Sequence, residues 1–199
     1  MYDNNKLDNS YEGLSGFFGS VSRFVFNIIQ ILIILSIFGL LIYLFIATPH
    51  EVVGDSMYPN FKNDEYLIGS KVSYLFSEPQ RGDVVIFKYD EYVDYIKRVI
   101  GVPGDSVSLR NGQIYVNDTQ IDESEYLEED IRTNGGSFLR EEGSINVQDG
   151  EYFTLGDNRP RSYDSRDFGN VQEEEIKGKI FVAIFPLENF RFVEEPNIY

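Results

Sequence analysis

The sequence predicts a mainly β chain, an antiparallel sheet or barrel-like fold preceded by one N-terminal transmembrane helix, and three observations predict it. Residues 24–47, FVFNIIQILIILSIFGLLIYLFIA, form a run of twenty-four positions without a charge. The remainder breaks into short stretches rich in Val, Ile, Phe and Tyr, punctuated by Gly, Pro, Asn and Asp. No stretch beyond the apolar run keeps a long 3.6-residue apolar period, which argues against βαβ units.

In chain order, residues 1–23 are polar and rich in Asn, Asp, Gly and Ser, and read as a mobile tail because they bury little apolar surface. The apolar run of residues 24–47 follows. At about 1.5 Å per residue it exceeds the roughly 30 Å hydrocarbon core of a bilayer. A buried soluble helix or a cleaved signal segment are the alternatives, but a secretory apolar region is about 7 to 15 residues long and IYLFIATP offers no convincing small-x-small site. Asn27 and Gln30 share one helical face near its start, suited to the membrane interface or to a partner helix, the interface being the plainer reading. Arg23, directly before the run, favours the tail on the cytoplasmic side. The expected protein is therefore single-pass in the cell membrane, with residues 48–199 extracytoplasmic.

Strands are expected in DEYLIGSKV, GDVVIFKY, DYIKRVIGV, DSVSLR, GQIYVN, EYFTLGD and GKIFVAIFPL. Residues 119–143 are acidic and weakly patterned, and read as an insertion or small subdomain at the surface. A formal net charge of −16 repels a phosphate backbone, so no nucleic-acid partner is expected. The chain lacks cysteine, which excludes disulfides and thiol chemistry and suits an oxidising compartment. With His50 its single histidine, a multi-histidine zinc site cannot be built, and neither metal nor cofactor is expected. Any chemistry falls to carboxylates, lysines and hydroxyls.

Three stretches could carry it. VVGDSMYP holds Ser56 between Gly54 and Pro59, although turn chemistry alone explains such a stretch. In DYIKRVIG, alternation puts Tyr95, Lys97 and Val99 on one strand face and Ile96, Arg98 and Ile100 on the other. Lys97 thus stands among apolar and aromatic neighbours. It could be an edge lysine that discourages aggregation, or a desolvated amine whose pKa falls far enough to serve as a base. LGDNRPRSYDSRDFG, residues 155–169, packs three arginines and three aspartates into fifteen positions, more charge than a turn needs and suited to an ordered ion-pair network.

Taken in this order behind one apolar helix, the blocks GDSMYP, RGDVVIFKY, YIKRVIGVPGDSV and GDNRPRSYDSRDFG resemble bacterial type I signal peptidases from the helix onward. The resemblance implies a membrane-bound serine endopeptidase that removes signal peptides from secretory preproteins, cutting after small residues at Ala-x-Ala type sites. It implies Ser56 as nucleophile and Lys97 as general base. Ser162 would orient the Lys97 amine through a hydrogen bond. Arg98 with Asp157, and Asp164 with Arg166, would be ion pairs holding the loop that carries Gly156 and Ser162. The Ser56 backbone N–H would donate to the oxyanion. Some members place a hydroxyl residue two positions before the nucleophile as a second donor; others, like this chain with Gly54, carry glycine. Asn60-Phe61 stands where Thr-Leu is usual. By position, Val52, Val53, Gly54, Met57, Phe61, Tyr95 and Ile96 would line the substrate groove. The lysine base is the bacterial type, and His50 matches no catalytic position. Competing readings are a self-cleaving repressor, which uses the same dyad but begins with a DNA-binding domain, and a membrane-anchored β-domain that binds exported proteins without cutting them.

Overall fold

A computed structural model describes residues 4–45, 47–128, 131–194, 196 and 198. The chain divides into two units, residues 1–44 and 45–199. The first is the helix α1 (Asn4–Phe45). It takes in most of the polar segment expected as a tail, since extending an existing helix by a residue is far easier than nucleating one. Its stretch Val21–Tyr43 is long and apolar enough to cross a bilayer, and those side chains find no burial within the protein. An apolar surface left uncovered on all sides of a helix matches hydrocarbon, not water. The helical path stops two residues short of the expected end, and Ala47 already opens the first strand.

The second unit is antiparallel β throughout its described pairings. Its strands are β1 (Ala47–Glu51), β2 (Tyr66–Ser70), β3 (Val84–Lys88), β4 (Asp94–Gly101), β5 (Ser106–Arg110), β6 (Gln113–Val116), β7 (Thr119–Gln120), β8 (Ser144–Asn146), β9 (Glu151–Leu155), β10 (Val171–Gln172), β11 (Ile176–Phe185) and β12 (Arg191–Phe192). A four-residue helix, α2 (Ser165–Phe168), follows the loop after β9. One sheet runs β1-β2-β11-β3-β4-β9-β10 with β12 added to β11; the other runs β7-β6-β5-β8. All seven strand-like stretches of the sequence become strands. Pro49, which has no N–H to give, sits in β1 at the end of the first sheet.

β4 is the strand on which the site depends. It lies between β3 and β9, with Val85 opposite Lys97, Val84 opposite Arg98, and Arg98 opposite Leu155. Residues 97–101 are buried, so both faces of this half of the strand are covered. On one side Ile100 joins Val107, Leu109, Ile114, Val116, Phe153 and Leu155 in a core shared with the second sheet. Elsewhere Val52, Met57, Phe61, Leu67, Val84 and Ile86 pack beneath the loop that connects β1 to β2.

Residues 119–143 are not a surface appendage. Ile121, Tyr126, Leu127 and Leu139 are buried, with Leu139 in the same core as Ile100 and Phe153. The few apolar positions in this acidic stretch are its anchors, and their irregular spacing hid them from any periodic pattern. Leu139→Ala should therefore destabilise the full chain by about 2–5 kcal/mol in denaturant unfolding, as a cavity in a packed core does. Phe138→Ala, next to it but 44% exposed, should cost under about 1 kcal/mol; equal effects would return the segment to the surface.

Candidate active site

Ser56 lies in the turn between β1 and β2. This turn is tied down by Val52 N–H donating to the Glu65 carbonyl, Asp64 N–H to the Val52 carbonyl, and Gly54 N–H to Asn63 Oδ1. Gly54 has φ +94°, a backbone conformation that side-chain-bearing residues rarely adopt, so a hydroxyl residue two positions before Ser56 would be strained here. Lys97 reaches this turn from β4. Its Nζ donates to Ser56 Oγ at 2.8 Å and to the Ile96 carbonyl at 3.1 Å. The amine also stands 4.9 Å from the centre of the Tyr95 ring.

Lys97 is 3% exposed. Burial pulls its pKa from the ordinary 10.5 down to about 8, while the Asp164 and Asp157 carboxylates push it up and Arg166 pushes it down again. Burial wins because both carboxylates are already committed. Arg98 donates from Nε and Nη2 to the two oxygens of Asp157, at 2.9 and 2.7 Å, and from Nη1 to the Gly82 carbonyl. Arg166 donates from Nε and Nη2 to Asp164, both at 2.8 Å. The two ion pairs expected from the sequence are thus both formed, buried and two-pronged, and Asp164 Oδ2 also accepts the Gly156 N–H.

A groove of 690 Å³ opens over the pair, with Val52, Val53, Gly54, Met57, Tyr95 and Ile96 in its lining. Six of the seven expected lining residues are therefore there. Phe61 is not. It is 3% exposed, packed with Val52, Met57 and Leu67 beneath the turn, with the Arg191 guanidinium 5.3 Å from its ring centre. The side chain left over from the Thr-Leu to Asn-Phe change thus fills core, not groove. Asn60 instead donates from Nδ2 to Asp157 Oδ2 and to the Tyr126 carbonyl.

Ser162 also departs from expectation. Its hydroxyl is buried without a hydrogen-bond partner, so the expected bond to the Lys97 amine is not formed. Arg166 Nη2 holds the Ser162 carbonyl, and the hydroxyl lies against Gly156 so closely that a Cβ there would overlap both it and the Ser56 carbonyl. Sequence reasoning missed two groups. Arg159, fully buried, donates to Glu123, Thr133 and the Gly156 carbonyl. Asn158 donates to the Ser56 turn, at the Ser56 and Asp55 carbonyls. Both belong to the GDNR block, yet apart from Gly156 these partners lie tens of residues away, where no local pattern points.

A family model described as signal peptidase, peptidase S26, matches residues 25–185. Signal peptidase IB of Staphylococcus aureus (strain MRSA252) is 36% identical over 166 residues, covering 77% of this chain and 85% of that protein. Signal peptidase I S of Bacillus subtilis (strain 168) is 36% identical over 165 residues, covering 80% and 89%. A crystal structure of a signal peptidase I from Enterococcus faecalis V583 is similar at 30% identity and a TM-score of 0.42, covering 52% of this chain and 97% of that one. Because the matched region runs from the apolar helix through both the Ser56 turn and the Lys97 strand to β11, the chain belongs to the signal peptidase family, peptidase S26, and is a serine peptidase.

Proposed function

We propose that this chain removes signal peptides from secreted preproteins with a Ser56–Lys97 dyad, cutting after small residues at Ala-x-Ala type sites. The observation that carries the reading is the 2.8 Å contact between Ser56 Oγ and the buried amine of Lys97. A neutral amine takes the hydroxyl proton as Ser56 Oγ bonds to the scissile carbonyl carbon, leaving an oxyanion and a lysine ammonium. Collapse breaks the C–N bond, and the ammonium gives its proton to the departing amine. Water then attacks the acyl-enzyme, its proton passing to Lys97 and on to Ser56 as the ester bond breaks. The Ser56 backbone N–H stabilises the oxyanion in both halves.

The groove supports the specificity. Its floor is Val52 and Met57, each at most 5% exposed and packed against the core beneath. A floor that cannot yield accepts an alanine side chain and clashes with larger ones. An extended substrate would pair with the strand ends leading to Ser56 and Lys97. The apolar helix anchors the chain in the cell membrane, with its N-terminus cytoplasmic and the β unit outside. Tethering raises the enzyme's effective concentration toward substrates still held in the bilayer.

Cleavage of an Ala-x-Ala preprotein by the full chain in liposomes, followed by mass, tests the dyad. Ser56→Ala should be inactive and Lys97→Ala should lose at least about 10²-fold. The wild-type kcat/KM should rise with pH and reach half its plateau near the Lys97 pKa of about 8; full activity in Lys97→Ala would sink the assignment.

Lys97 also costs stability. A pKa lowered from 10.5 to about 8 amounts to about 3 kcal/mol. Below pH 8 the ammonium is charged in both states and the whole cost is present; between the two pKa values the folded protein sheds its proton first, and the cost fades as pH rises. Lys97→Met should therefore be more stable than wild type at neutral pH, by up to about 3 kcal/mol, with the gap closing toward pH 10.5 in denaturant melts. A pH-independent gap would mean the amine is not desolvated.

Gly156→Ala, which forces a Cβ into the Ser162 hydroxyl and the Ser56 carbonyl, should lower kcat by about 10²-fold by shifting the nucleophile. Wild-type turnover by this variant would show that the loop can yield.

A further inference from the structure

We propose that the Asn158 side chain is a positioning residue for the oxyanion site, holding the peptide that carries the Ser56 N–H. The inference rests on the Ser56–Lys97 reading and adds a residue to it. Asn158 Nδ2 donates to the Asp55 carbonyl at 2.9 Å, and the Asn158 backbone N–H donates to the Ser56 carbonyl at 2.9 Å. These two carbonyls belong to the peptide units on either side of the Ser56 Cα. One residue therefore holds both planes that determine where the nucleophile and its N–H point.

The side-chain bond is the informative one. The Asp55 carbonyl and the Ser56 N–H are the two ends of a single planar peptide unit, directed oppositely. Fixing the carbonyl on Asn158 fixes the direction of the N–H. The Asp55 carbonyl also accepts from Tyr58 N–H at 3.1 Å. Two donors on one carbonyl polarise the amide and strengthen its N–H as a donor. A carbonyl can only accept, so the amide nitrogen of Asn158 must be the group that faces it.

Asn158 also forgoes its commonest local use. It occupies the position before the 3₁₀ turn of residues 159–161, where asparagine ordinarily caps the following N–H groups, and it makes no such cap. Its amide spans instead to a carbonyl 103 residues earlier in the chain. On the other side of it, Asp157 is locked to Arg98, the neighbour of Lys97. The residue that aims the oxyanion donor is thus adjacent in sequence to the one that fixes the strand of the base.

The test uses the full chain in detergent with Asn158→Asp, which keeps the shape and removes the donor, and Asn158→Ala. Each is assayed for kcat and KM on an Ala-x-Ala peptide and for affinity toward two inhibitors: a peptide aldehyde, whose adduct with Ser56 carries the oxyanion, and the matching peptide alcohol, which forms none. Both variants should lose about 10-fold or more in kcat with KM within about twofold, less than deletion of an oxyanion donor costs. Aldehyde affinity should fall by a comparable factor while alcohol affinity holds, and the pH midpoint of Asn158→Ala should stay at the wild-type value. Unchanged kcat, or equal weakening of aldehyde and alcohol, overturns the inference. Ser56→Ala is run beside them: turnover there would remove the dyad reading itself, whereas a dead Ser56→Ala with fully active Asn158 variants would remove only the role of Asn158.

Discussion

The buried pair between Arg98 and Asp157 is the constraint on which the site depends. β4 presents adjacent residues to opposite sides, so Lys97 meets Ser56 while Arg98 meets Asp157. Asp157 in turn sits between Gly156, which lies against the Ser56 carbonyl, and Asn158, which donates to it. One ion pair therefore ties the strand of Lys97 to the loop that packs against the Ser56 turn. Such a pair contributes little net stability, because taking both charges out of water offsets their attraction, but losing either partner strands a buried charge at a cost of about 3–5 kcal/mol. Its value is in allowing one arrangement and penalising the rest.

The same pairing explains how the Lys97 pKa can fall beside two aspartates. An unpaired carboxylate next to Lys97 would hold its proton firmly. Here each carboxylate faces a guanidinium through two hydrogen bonds, and Asp157 and Asp164 retain only part of their pull. Burial then prevails, and the amine's pKa falls from the ordinary 10.5 to about 8. Guanidinium suits this task because it stays charged at any working pH and its fork matches a carboxylate. A lysine in place of Arg98 would compete for the same protons as Lys97.

Much of this was legible in the sequence. Seven strands announce themselves by β-branched and aromatic residues between turn signals, β1 (ATPHE) does not because it follows directly on the apolar run, and Ser56, Lys97 and the two ion pairs stand in blocks dense enough to single out. β7, β10 and β12 are two residues each, and β8 is three, too short for any period to register. Phe61 and Ser162 misled for a different reason: both lie where chain position suggests the groove or the amine, but side-chain direction is decided by packing from elsewhere, the core beneath the turn for Phe61 and the Arg166-bound backbone for Ser162. Residues 119–143 were opaque because an irregular segment is held by contacts at its anchors and has no repeating face to show.

That segment joins the site to the second sheet. Arg159 donates to Glu123 and Thr133 on it and also to the Gly156 carbonyl. Arg166 donates to the Asn134 carbonyl while gripping Asp164, and Phe138 and Leu139 return N–H donors to the Arg166 carbonyl. The buried guanidinium groups thus find on this segment the acceptors that β9 and its loop do not supply, as buried donors require. Leu139 anchors the same segment among Leu109, Ile114 and Phe153. The second sheet is consequently joined through this segment to Gly156, which lies against the Ser56 carbonyl. An acidic stretch with no period of its own is in this way a structural wall of the loop that carries Gly156 and Ser162, and its Glu123 carboxylate, Thr133 hydroxyl and Asn134 carbonyl are what allow Arg159 and Arg166 to be buried there.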